Sequence, residues 1–216
     1  MKRALALVGA VVAASLAAPG ADAHYGTAKK GYRSHVIAVT PRIPGVQARV
    51  LYGDDQVLLT NRSGKTILVR GYSGEPYLLF KKNEVYVNNN SPTVYLNADR
   101  YGTTPVPKYA TATAKPDWHR LISGDVWAWH DHRIHWMSPT APKPILDAPR
   151  SKHHLYDWKV TATANGKPFF ITGSLDYVPP PQKKFPVNLA IVLAALIALG
   201  TVGLFGLRRV ILRSME

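Results

Sequence analysis

The chain contains no cysteine. That absence excludes disulfide staples, thiolate metal sites, a lipid anchor through cysteine and cysteine catalysis. Acidic residues are scarce too: 13 Asp and Glu stand against 27 Lys and Arg, a formal charge of +14. None of them forms the close carboxylate pair that glycoside hydrolysis needs. There is no Gly-x-Ser-x-Gly elbow and no Ser-x-x-Lys set, so no serine nucleophile is announced. Before residue 187 no segment carries a long apolar period of 3.6 residues, which argues against helical layers. No catalytic residue emerges, and the chain reads more readily as a binding protein than as an enzyme.

What is present first fixes a location. Lys2 and Arg3 precede an apolar stretch over residues 4–18, and Ala21-Asp22-Ala23 is a small-x-small cleavage site. Residues 1–23 therefore read as a secretory signal. A second apolar run, 187–207, has no charge and is long enough for one transmembrane helix. Arg208, Arg209 and Arg213 follow it, and basic residues favour the cytoplasmic side. The expected order is a signal (1–23), an extracytoplasmic domain (24–178), a Pro/Lys spacer (179–186), a membrane span (187–207) and a cytoplasmic tail (208–216). The protein is then a single-pass cell-membrane protein with its N-terminal domain outside. The charge of +14 would suggest nucleic acid in a cytoplasmic protein, but export argues against that partner. Anionic lipid or cell-wall polymer suits a basic outer domain better.

The outer domain reads as all-β. Short runs rich in β-formers, at 35–40, 46–52, 56–60, 66–70, 76–80 and 84–87, alternate with turn residues such as Gly53-Asp54-Asp55 and Asn61-Arg62-Ser63-Gly64-Lys65. At the far end 156–162 and 168–177 flank Asn165-Gly166, whose tolerance of positive φ suits a tight hairpin. Strands at this spacing predict an immunoglobulin-like β-sandwich. The stretch 88–125, rich in Asn, Pro, Thr and Tyr, lacks periodicity and is expected to be a long ordered loop. Within it Asp99-Arg100-Tyr101 is one polar spot of interest. Glu75, before a proline, is another, expected to serve a turn or to pair with an arginine.

Chemistry concentrates at 127–137, Trp-Ala-Trp-His-Asp-His-Arg-Ile-His-Trp-Met. Imidazole is the commonest side-chain metal ligand and titrates near neutrality. On one strand His130 and His132 would share a face, a good two-point chelate, while His135 would need a bend to join them. Asp131 and Arg133 are expected behind these ligands, Asp131 accepting the free N–H of an imidazole and so fixing its tautomer. In the architectural alternative, Asp131 and Arg133 pair with each other and the histidines bond loop carbonyls. Cleavage after Ala23 would also make His24 the first residue, and its α-amine and Nδ1 form a bidentate nitrogen chelate. With imidazoles added, that is the all-nitrogen set preferred by Cu(II). In arrangement, though not in sequence, it resembles exported copper-binding domains and lytic polysaccharide monooxygenases. The candidate ligands are thus His24, His130, His132 and His135, with copper as cofactor. The remaining histidines, His35, His119, His153 and His154, suit edges and turns.

Three segments carry a wider likeness: 71–78 (GYSGEPYL), 91–102 (SPTVYLNADRYG) and 129–137 (WHDHRIHWM). They resemble a family of exported, single-pass membrane-anchored actinobacterial proteins with a His-Asp-His-Arg-x-His-Trp motif. The resemblance implies location, and that the long loop and the histidine block belong to one unit. It implies no activity. Two functions are weighed from here. One is a copper-binding outer domain with a metal-handling partner. The other is a non-enzymatic envelope interaction module whose His/Trp block is structural.

Overall fold

The computed structural model describes residues 30–181 and Ile191. The expected signal, His24, the spacer from residue 182 on, the span (apart from Ile191) and the tail lie outside the described residues. No described helix is long and apolar enough to cross a membrane. The chain divides into two compact units, residues 1–179 and 180–216, and all the described strands belong to the first.

That unit is mostly β, with two antiparallel sheets. The strands are β1 (Tyr32–Thr40), β2 (Val46–Leu51), β3 (Gln56–Asn61), β4 (Ile67–Arg70), β5 (Pro76–Lys81), β6 (Glu84–Asn88), β7 (Trp118–Ser123), β8 (Val126–His130), β9 (His153–Ala164) and β10 (Lys167–Tyr177). The larger sheet has the order β1-β10-β9-β4-β5-β6-β7, and the smaller is β2-β3-β8. Two short helices, α1 (Pro92–Leu96) and α2 (Lys143–Asp147), sit in the connections. This is the two-sheet, all-β architecture that the spacing of turns predicts.

Alternation explains the faces. In β3, Val57, Leu59 and Asn61 turn inward and are buried, while Gln56, Leu58 and Thr60 are partly exposed. Val57 and Leu59 of the small sheet meet Ile67, Val69, Leu78, Phe80, Val85, Val160, Ala162, Phe169 and Ile171 of the large one in a single core. Fully burying each large apolar side chain contributes about 1.5–3 kcal/mol, so the sheets are held by this shared layer, with no disulfide to help. The β9–β10 turn is the tight hairpin expected: Asn165 and Gly166 both take positive φ, 47° and 81°.

The long loop is shorter than the sequence suggests. Residues 118–123, read as its end, form β7, which pairs with β6 from Glu84↔Ser123 to Asn88↔Trp118. β7 is the outermost strand of its sheet and its residues are exposed on both faces except near Trp118. With neither face buried, no apolar alternation marks it.

Replacing Leu59, fully buried between the sheets, with alanine should lower unfolding free energy by about 3 kcal/mol in a denaturant titration of the whole chain. A change below about 1 kcal/mol would mean that the two sheets do not share this core.

Candidate metal centre

The site lies where the small sheet ends. β8 pairs with β3 in a register that sets His130 opposite Gln56, next to the β2–β3 turn carrying Asp54 and Asp55. After His130 the chain leaves the strand. Asp131 is extended, and 132–134 make a single 3₁₀ turn. The expected face-sharing of His130 and His132 along one strand therefore does not occur. The turn supplies the bend that His135 needed, and all three rings converge instead.

Their ring centroids form a near-equilateral triangle: 5.2 Å from His130 to His132, 4.8 Å from His130 to His135, and 5.2 Å from His132 to His135. Each ring can offer one nitrogen, and these three atoms lie within 4.8 Å of one another. Donors about 2 Å from a shared ion stand about 3–4 Å apart, so closing on an ion needs a contraction of about 1–2 Å at the widest pair. His135 is fully buried, and the other two are partly exposed. An open cleft of about 280 Å³, lined by His135, Trp136, Met137, Ser138 and Tyr156, adjoins the cluster.

Every ring is held. His130 Nδ1 is 3.0 Å from Asp55 Oδ1, and its Nε2 is 3.1 Å from His135 Nε2. His132 Nε2 is 2.8 Å from the carbonyl of Asp99, where it donates, leaving Nδ1 as the nitrogen with a lone pair. Gly102, at φ 65°, runs so close that a Cβ there would lie 3.1 Å from His132 Cε1. Tyr72 stacks on the His132 ring at 5.9 Å, and its hydroxyl accepts the His132 backbone N–H at 2.8 Å while donating to Asn97. Tyr156 donates to the His135 carbonyl at 2.5 Å.

Asp131 behaves otherwise than expected. The sequence suggested that it accepts from an imidazole, but its oxygens take the Trp129 indole N–H at 2.8 Å and the Arg133 guanidinium at 2.6 and 2.8 Å. The pairing of Asp131 with Arg133 is the one the architectural alternative described. Burial pushes this carboxyl up, but the Arg133 charge and the three donors outweigh it and hold it below its ordinary value. Arg133 in turn lies over the Tyr72 ring at 5.0 Å. The carboxylate that meets an imidazole of the cluster is Asp55, which the sequence presented only as a turn residue.

Behind Asp55 stands a buried ion group. Arg100 reaches Asp54 Oδ2 at 2.6 Å and Asp55 Oδ1 at 3.7 Å, and all three side chains are at most 7 % exposed. Burial raises the Asp54 carboxyl above its ordinary value, against the pull of Arg100. Glu75, the other polar spot, pairs with no arginine among the described residues. It is buried and accepts from Ser91, Thr93 and the Ser73 N–H, tying the 71–75 turn to α1. The other described histidines stay out of the cluster: His35 and His154 approach Asp176, His119 approaches Asp117, and His153 bonds the Ala148 carbonyl.

Compared with known protein families, curated proteins and solved structures, the chain finds no match. The cluster has to be read from its own chemistry. Burial lowers both His132 and His135, the second to about 3 with the Arg100 charge adding to the effect, so both rings are neutral at pH 7, the form that binds metal. With nitrogen donors only and one open side, the three rings could hold a transition-metal ion of the imidazole-binding kind.

The same burial has a consequence for stability. An unfolded histidine titrates near 6.5, and His135 in the fold near 3, so over that window the unfolded chain binds a proton that the folded chain refuses. The stabilisation is complete above about pH 6.5 and is lost progressively as the pH falls toward 3. The thermal unfolding midpoint of the metal-free protein should drop between about pH 7 and pH 4. A folded His135→Phe variant should show a shallower drop, and an equal slope in the two proteins would contradict the assignment.

Proposed function

We propose that this protein is a membrane-anchored extracytoplasmic domain that binds copper through His130, His132 and His135. The observation that carries the reading is the convergence of three imidazole nitrogens within 4.8 Å, from a strand end and the turn that follows it. Copper is preferred because neutral nitrogen donors rank it above the other divalent first-row ions, and because a chain without cysteine offers no thiolate to favour zinc. The cluster sits on an all-β sandwich that we take to be immunoglobulin-like in the broad sense of two face-packed antiparallel sheets. Export, the single span over 187–207 and the likeness to the actinobacterial membrane-anchored family belong to the same reading. So does His24, whose amine would add a fourth donor if cleavage follows Ala23. The implied partners are the membrane and a protein that passes copper on or receives it.

One observation favours the second reading, an envelope interaction module with a structural His/Trp block. Each imidazole already has a protein partner: Asp55 for His130, the Asp99 carbonyl for His132, and His130 for His135. Titration separates the two. The chain beginning at His24, stripped of metal, is expected to take one Cu(II) tightly in calorimetry. His130→Ala combined with His132→Ala should abolish this. Adding one residue before His24 should weaken it only if the amine is a ligand. If copper associates only weakly, and equally with wild type and the double variant, the histidines are architectural and the copper reading fails.

A further inference from the structure

We infer that Asp55, steadied by Arg100 from the long loop, is the positioning residue of the three-histidine cluster and fixes which nitrogen of His130 faces its neighbours. The inference deepens the metal reading and rests on it for its functional meaning, but the orienting contact stands by itself.

An ionised carboxylate only accepts hydrogen bonds. With Asp55 Oδ1 at 3.0 Å from His130 Nδ1, the ring must carry its proton on Nδ1, because two lone pairs at that distance repel. In the neutral ring the His130 lone pair then sits on Nε2, the atom 3.1 Å from His135 Nε2. This is the carboxylate–histidine arrangement that orients metal ligands and makes them more basic. Asp55 is itself constrained, since Arg100 spans Asp54 and Asp55 from within the fold.

The loop that brings Arg100 acts on a second ring. One residue earlier, the Asp99 carbonyl takes the Nε2 proton of His132, and two residues later Gly102 passes against that ring. A single loop thus sets opposite tautomers on two histidines, Nδ1–H on His130 and Nε2–H on His132. The loop end is kept in shape by the Asp99 carboxylate, which accepts from the backbone of Tyr101, Thr103 and Thr104 and from the Thr104 hydroxyl.

The test is nitrogen-15 NMR of the imidazole rings in the full, metal-free chain, which reads tautomers directly, together with copper affinity of Asp55→Asn. The expected result is Nδ1–H on His130 and Nε2–H on His132 in wild type. In Asp55→Asn the carboxamide can donate to Nδ1, so the His130 signal should move toward the Nε2–H form and copper affinity should fall about 10–100-fold. Nε2–H on His130 in wild type would overturn the inference. So would unchanged tautomer and affinity in an Asp55→Asn protein that melts as wild type does. Should wild type show the expected tautomers but bind no copper, the metal reading falls while the orienting role of Asp55 stands.

Discussion

The buried contact of Arg100 with Asp54 and Asp55 is the constraint on which the site depends. It joins two parts of the chain 46 residues apart, a β-hairpin turn and a loop with little regular structure. Taking three charged groups out of water is expensive, and removing one partner of a buried pair typically costs about 3–5 kcal/mol, because a charge is then stranded. The loop therefore has one strongly preferred docking position. Because Asp99 and Gly102 flank Arg100, that position also determines what His132 meets.

A second ion pair does the corresponding work on the other side. Asp131 and Arg133 lie two residues apart and close the chain into its 3₁₀ turn, with the Trp129 indole fastening the carboxylate to the strand before it. Arg133 also donates to the carbonyl of Arg70 and covers Tyr72, which stacks on His132. The acid and base between the histidines are thus the scaffold that makes three rings converge. Without the turn, residue 135 would follow the strand's alternation and face away from residue 130.

Much of this was legible in the sequence, and what was missed has a physical reason. The strands with one buried face, such as β3 and β9, announce themselves by alternation, and Asn165-Gly166 marks its hairpin. β7 escaped because both of its faces are largely exposed. The three clustered histidines were visible as a group, and the need for a bend at His135 followed from strand geometry alone. Asp55 was not, because Gly53-Asp54-Asp55 satisfies every rule for a solvated turn, and the groups that meet it, Arg100 and His130, lie far along the chain. Arg100 stood out as a polar spot, but no local pattern reveals a partner 46 residues away. Asp131 was misplaced for the opposite reason: its nearest sequence neighbours are histidines, yet an indole and a guanidinium offer it better donors.

The hydrogen-bonded cluster is a compromise between its two readings. If the His130 ring donates to Asp55 from Nδ1 and keeps a lone pair on Nε2, the short contact between the two Nε2 atoms requires His135 to donate from Nε2. His135 Nδ1 then carries the lone pair of that ring. A cation bound by both Nε2 atoms would reverse this, because His135 would move its proton to Nδ1 and present a lone pair to the ion. The hydrogen-bonded arrangement that favours the architectural reading is therefore also one that a metal can displace at low cost. A single N–H···N bond is weak competition for two metal–nitrogen bonds.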